Sequence, residues 1–293
     1  MSVIEMKRDI FRVIMIHSLG GSAETAAPGL EKAVRASSPD LVILNGDIVC
    51  GISDPDEFTS AASLIAKAAG ATGAKFAVTF GDRDDKNGLT RADQLAVYCS
   101  YGCLTEAGED DIDGVGNCVI SVKKDGKTVL CVRLFDSHSE TTAYEREYGS
   151  PSRSRLPYPL YSHYYMDGVR FNQTMWLRRT CDTEIPELLF FHIPTPEHAQ
   201  LPLNAADVGF DGCQNEEVRC QTVNGGLTAS AAETGCVCGI FCGNDERNDF
   251  FGRWCGMIMG IAPSFGLTGT AHLIDAAFRE ARVDLSVSRI RVS

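Results

Sequence analysis

The chain is 293 residues long, with 44% apolar and 23% charged residues, which allows one sizeable core and argues against wholesale disorder. Its 27 lysines and arginines face 39 aspartates and glutamates, a formal net charge of -12 that repels phosphate backbones and makes a nucleic-acid partner unexpected. No apolar run is long enough to span a bilayer and Met1–Arg12 reads as no leader, so neither membrane insertion nor secretion is expected.

Phe11–Ile16 reads as a buried strand, followed by a loop at Ser18-Leu19-Gly20-Gly21-Ser22 and a helix over Ala23–Ser37. Asp40–Leu44 is a second apolar strand ending in Asn45-Gly46-Asp47, and Phe58–Ala69 is an alanine-rich helix. Lys75–Phe80 is a third strand, ending in Gly81-Asp82-Arg83-Asp84. This alternation of strand and helix predicts parallel sheet. The acidic run Glu109–Asp113 lacks the spacing of a calcium loop and reads as solvated surface. Val119–Val122 and Val129–Phe135, joined by a turn at Lys124–Lys127, predict a hairpin.

Glu140–Tyr161 is a polar stretch with Tyr144, Tyr148, Tyr158 and Tyr161 among arginines. It reads as a long loop and a candidate interface, because Tyr and Arg anchor many interfaces. Val169–Arg179 predicts a helix around Trp176. Leu188–Phe191 is a strand running into His192-Ile193-Pro194, and Cys236–Cys242 is another, running into Gly243-Asn244-Asp245-Glu246. Met257–Ile261 and Val283–Val292 supply late strands. The twelve cysteines form no paired Cys-x-x-Cys knuckles. Cys236, Cys238 and Cys242 read as buried, reduced thiols of a strand, with zinc or a disulfide as the alternative. A cysteine-rich chain without a leader is expected in the cytoplasm. Residues 1–10 are expected to be an extension and residues 11–293 one domain.

Apolar strands thus end at Ile16, Leu44, Phe80, Phe191 and Cys242, each in a small, polar or charged loop. In open α/β sheets ligands gather beyond the carboxyl ends of strands, so these loops should converge. Their order resembles the calcineurin-like metallophosphoesterases, and most closely the small purple-acid-phosphatase-related branch of plants and fungi. Gly46-Asp47-Ile48-Val49-Cys50-Gly51, Leu89-Thr90-Arg91, the run Phe190–Glu197 and the run Gly243–Phe250 carry the resemblance. It implies an α/β fold, a four-layer αββα sandwich of two mixed β-sheets flanked by helices.

The resemblance also implies a site of two metal ions about 3.5–4 Å apart. Laid on the family pattern, Ser18 and Gly20 stand where the first motif has Asp and His, and Asp47 keeps the bridging aspartate. Asp82 stands at an asparagine, Arg83 at the general-acid histidine, and His192 keeps the lone histidine. Asn244 and Glu246 replace the last two histidines. The first metal would then see Ser18, Gly20, Asp47 and Glu246, which is a lost site. The second would see Asp47, Asp82, His192 and Asn244, an oxygen-rich set suited to a single Mg²⁺, Mn²⁺ or Ca²⁺ rather than to zinc.

Other readings of the same residues stay open. Asp47 could cap a turn, His192 could be a hydrogen-bonded core residue, and Arg83 could pair with Asp47 or Glu246 in place of the lost cation. His17 would be a ligand only after a register slip. His198 reads as a surface residue and Cys242 as core. The expected function is a phosphoesterase-fold protein without two-metal hydrolysis, acting as a binding or structural component with a protein partner in a cytoplasmic or cytoskeletal assembly. The alternatives are a one-metal phosphoesterase in which Arg83 replaces the general acid, and a phosphate or nucleotide sensor.

Overall fold

The computed structural model describes residues 2–139, 166–279 and 282–292. The candidate interface at Glu140–Tyr161 lies outside them. Each apolar strand of the sequence forms where alternate residues can be buried on both sides. In β2 (Ile10–Ile16), Val13 and Met15 face one core while Ile14 and Ile16 face another. In β3 (Leu41–Asn45), Leu41 and Ile43 oppose Val42 and Leu44 in the same way.

These strands and β4 (Lys75–Thr79) run parallel, and antiparallel β12 (Thr270–Arg279) and β13 (Arg282–Arg291) extend them to a five-stranded sheet, β13-β12-β2-β3-β4. The second sheet has eight strands. Its hairpin is β5 (Cys118–Lys124) with β6 (Lys127–Leu134), and β7 (Glu187–Phe190), β9 (Val237–Cys242) and β11 (Met257–Ile261) follow β6 in parallel. Antiparallel β10 (Asp249–Trp254) and β8 (Asp211–Cys213) close the far side. The near edge is β1 (Val3–Glu5), paired with Ser121–Lys123. Within the expected extension of residues 1–10, Val3–Glu5 is thus tied into the sheet by backbone pairing.

The sheets pack face to face through Phe11, Met15, Ile43, Phe190, Phe241 and Ile274. Helices α1 (Ala23–Ser37), α2 (Pro55–Ala69) and α3 (Arg91–Ser100) cover the smaller sheet. Helix α2 starts three residues before the expected Phe58, because Asp54 accepts the Asp56 and Glu57 amides at 2.9 Å each and Pro55 suits the first turn. Helices α4 (Phe171–Thr180) and α6 (Leu227–Thr234), with single-turn α5 (Gln200–Leu203), cover the larger sheet through Trp176, Leu177, Leu227 and Ala231. Single-turn α7 (Phe265–Thr268) precedes β12. The result is the four-layer sandwich implied by the resemblance.

His198 is fully buried rather than at the surface. Its ring is held between Thr195 Oγ1 at 3.0 Å and Cys242 Sγ at 3.3 Å, two partners brought in by the turn before α5 and by β9. Cys236 and Cys242 are buried, as expected, and Cys238 is half-buried.

Candidate metal centre

The carboxyl ends of β2, β3, β4, β7 and β9 meet on one face. Asn45 joins the two sheets there: its Nδ2 donates to Phe191 O at 2.9 Å, and its own carbonyl lies 2.7 Å from His192 Nδ1. That contact makes Nδ1 the protonated nitrogen and turns Nε2 toward the neighbouring carboxylates. Close approach depends on two glycines. A Cβ at Gly46 would overlap His192 Nδ1, and one at Gly81 would overlap Asp47 Oδ1. Asp47 and Asn244 also take left-handed φ values of 57° and 68°, a conformation that Asp and Asn tolerate better than most residues.

Asp47, Asp82 and His192 are all buried, and their ligand atoms lie within 4.8 Å of one another. His192 Nε2 is 3.5 Å from Asp47 Oδ2 and 3.6 Å from Asp82 Oδ1. These separations are long for hydrogen bonds. His192 Nε2 and Asn244 Oδ1 are buried and have no hydrogen-bond partner. An orphaned imidazole nitrogen beside two carboxylates fits a divalent cation, so Asp47, Asp82 and His192 could hold one.

Without a cation the same charges act on protons. Burial works against a charge on His192, yet Asp47 and Asp82 raise its pKa to about 10. Burial alone would raise the Asp47 carboxyl, but His192 and the Arg83 amide, 2.9 Å from Oδ1, hold it well below the usual carboxylate range. Asp84 accepts the Asp47 and Gly81 amides at 3.0 and 2.7 Å, and burial with the Asp47 charge pushes it up to about 7.

The residues placed at the first metal behave differently. Ser18 Oγ accepts from Ser264 Oγ at 3.2 Å, and Gly20 has no side chain to offer. Arg83 spans the rest: Nη2 lies 2.5 Å from Glu246 Oε1, and Nε lies 3.7 Å from Asp47 Oδ2. The guanidinium thus stands between the two carboxylates that the resemblance assigns to the first cation. His17 remains outside the Asp47–Asp82–His192 trio. It is buried edge-on to His192 at 5.6 Å between ring centroids, and burial lowers its pKa to about 3.

The end of β6 also reaches this face, which the hairpin reading of the sequence did not include. Ser137 Oγ accepts the amides of His192 and Ile193 at 3.2 and 2.9 Å. Arg91 Nη2 donates to Gly81 O at 2.9 Å and to His138 O at 3.1 Å, tying this loop to the one that carries Asp82. The signal available in sequence was the polar run Asp136-Ser137-His138-Ser139 directly after an apolar strand.

No family model matches the chain. It is 23% identical over 266 residues to probable inactive purple acid phosphatase 14 of Arabidopsis thaliana, covering 82% of this chain and 62% of that protein. Probable inactive purple acid phosphatase 29 of the same plant is 24% identical over 265 residues, covering 81% of this chain and 62% of the relative. A dimetal phosphatase from Danio rerio has the same fold, with a TM-score of 0.64 at 14% identity and 96% of both chains covered. GAP50, the anchor in the inner membrane complex of Plasmodium, gives 0.53 at 9% identity, covering 97% of this chain and 89% of that one. The chain therefore has the calcineurin-like metallophosphoesterase fold, and its sequence is similar to the purple-acid-phosphatase branch.

Proposed function

We propose that this chain has lost two-metal phosphoester hydrolysis and serves as a binding or structural component of a larger cytoplasmic assembly, with a protein partner. The observation that carries the reading is the Arg83 guanidinium between Asp47 and Glu246. Two-metal hydrolysis needs one cation to acidify the attacking water and a pair to polarise the phosphate. A guanidinium supplies fixed charge and hydrogen-bond donors but neither Lewis acidity nor, at its raised pKa, a proton for the leaving oxygen. The names of the Arabidopsis relatives point the same way. A neighbour described as an anchor supports a role in an assembly, and no described helix is long and apolar enough to cross a membrane.

The test is turnover of p-nitrophenyl phosphate by the purified chain with Mg²⁺, Mn²⁺ or Zn²⁺ supplied. No activity above that of Asp47→Asn is expected. Metal-dependent hydrolysis that disappears in Asp47→Asn overturns the proposal.

A second reading rests on the unpartnered His192 Nε2 and Asn244 Oδ1. Asp47, Asp82, His192 and Asn244 would hold one Mg²⁺, Mn²⁺ or Ca²⁺, which when bound would polarise a phosphate oxygen. Arg83 would offer its charge to that phosphate. Lack of a proton donor costs about 10²–10⁴-fold in rate, so only activated esters would react. Failure of excess Mn²⁺ to bind the wild-type chain in calorimetry removes this reading.

A further inference from the structure

We propose that Cys99 and Cys103 form a redox-active dithiol that closes to a disulfide through exchange with a low-molecular-weight disulfide of the glutathione type. The site lies at the far end of α3, and the backbone builds it. Gly102 takes a left-handed φ of 87° after the helix. Its amide donates to Cys99 O at 3.0 Å, and the Cys103 amide donates to Tyr98 O at 3.3 Å. This crossed pair of bonds is the Schellman closure, which folds the second residue past the cap back over the last helical turn. The closure returns Cys103 to the last turn of the helix, which carries Cys99.

The surroundings suit thiol exchange. Both cysteines line one cavity of about 450 Å³, with Ala92, Leu95 and Val115 among its walls. Cys99 is exposed and Cys103 half-buried, so an incoming disulfide meets Cys99 first. Cys99 Sγ also lies 3.4 Å from Thr105 O, which holds the sulfur at the cavity edge. The neighbouring Cys103 pulls the Cys99 thiol down to about 7, while burial pushes Cys103 well above the ordinary range. One thiol is thus poised as nucleophile and the other as resolving group.

The exchange balances in two steps. Cys99 gives its proton to water, and its thiolate attacks one sulfur of glutathione disulfide, forming a mixed disulfide and expelling a glutathione thiolate. Cys103 then loses its proton and attacks Cys99 Sγ, expelling the second glutathione. Two protein thiols are oxidised by two electrons, and one glutathione disulfide is reduced to two thiols.

The experiment treats the intact chain with glutathione disulfide at pH 7.5, traps remaining thiols by alkylation, and maps the peptides by mass spectrometry. The expected product is a Cys99–Cys103 link that dithiothreitol reverses, formed before Cys213 or Cys255 reacts. Cys103→Ser should stop at a glutathione adduct on Cys99, and Cys99→Ser should leave Cys103 unmodified. Melting curves matching wild type confirm that each variant is folded. A folded Cys103→Ser protein that gains no adduct on Cys99, or a wild type in which exposed Cys213 and Cys255 react as fast as Cys99, overturns the proposal.

Discussion

Arg83 Nη2 lies 2.5 Å from Glu246 Oε1, bridging two loops that belong to different sheets. The guanidinium and the Glu246 carboxylate are both more than a third exposed, so the pair is worth about 0.2–1 kcal/mol to the fold. Its larger effect is on cations. Removing Arg83 takes away a positive charge 3.7 Å from Asp47 and frees both carboxylates. Arg83→Ala should therefore bind Mn²⁺ about tenfold or more tighter than wild type, a gain of ~1.4 kcal/mol, with little change in melting temperature. Calorimetric titration reads the difference, and unchanged or weaker binding contradicts the charge-replacement reading.

The His192 charge sets an alkaline limit on stability. Its folded pKa, about 10, lies above the unfolded value near 6.5, so the folded state holds a proton that the unfolded state releases between these limits. The stabilisation is fully present below pH ~6.5 and is lost as pH rises through about 10. The expected decline is about 1.4 kcal/mol per pH unit from this group. His192→Gln, which keeps a donor for Asn45 O, should show a flatter stability curve between pH 7 and 10 in urea denaturation. A variant with the wild-type slope contradicts the assignment.

Much of this site was legible in the chain because parallel strands announce themselves. Leu41–Leu44 and Leu188–Phe191 are continuous apolar runs that stop abruptly at Asn45 and His192, so the strand ends and their converging loops could be read directly. Strand β12 could not. Its buried His272 finds its partner in Asp249 at 2.8 Å, a residue 23 positions away, and its Asp275 pairs with Arg12 on β2. Those partners are long-range, so His272 and Asp275 interrupt the apolar run until the sheet is assembled. The loop after β6 was missed for the same reason, since Ser137 acts on amides 55 and 56 positions away. The guanidinium of Arg83 was foreseen as a partner for Asp47 or Glu246, while its contact with both required the geometry.

His198 gives an acid-side prediction of opposite sign. Burial lowers its pKa to about 4, so the folded state resists the proton that the unfolded state accepts below pH ~6.5. Its contribution to stability therefore falls as pH drops from ~6.5 to about 4, by up to ~1.4 kcal/mol per unit. His198→Gln should be less stable than wild type at pH 7 by about 1–3 kcal/mol, because Thr195 and Cys242 lose their shared partner. The gap should narrow steadily toward pH 4, as read by denaturation at fixed pH values. A gap that stays constant shows that His198 does not titrate as its burial requires.

Away from the metal centre, the buried pair Arg133–Glu187 lets stability be tested without touching function. Arg133 Nε and Nη2 meet both Glu187 oxygens at 2.8 and 2.9 Å, Nη1 reaches Thr180 Oγ1 at 2.9 Å, and the guanidinium lies 4.5 Å from the Trp176 ring centre. It is the one bidentate pair among the described ion pairs in which both side chains are almost wholly buried, at 1% and 2% exposure. Breaking such a pair leaves an uncompensated charge. Arg133→Met alone, stranding Glu187 inside the protein, should cost about 3–5 kcal/mol. Glu187→Leu alone strands the guanidinium and should cost a similar amount. The double substitution removes both charges and leaves Thr180 its bond to Trp176 O at 2.7 Å, so it should recover most of the loss. A coupling that approaches the summed losses of the two single substitutions is expected from the denaturation cycle. Additive losses would mean that Arg133 acts through its packing on Trp176 rather than through Glu187.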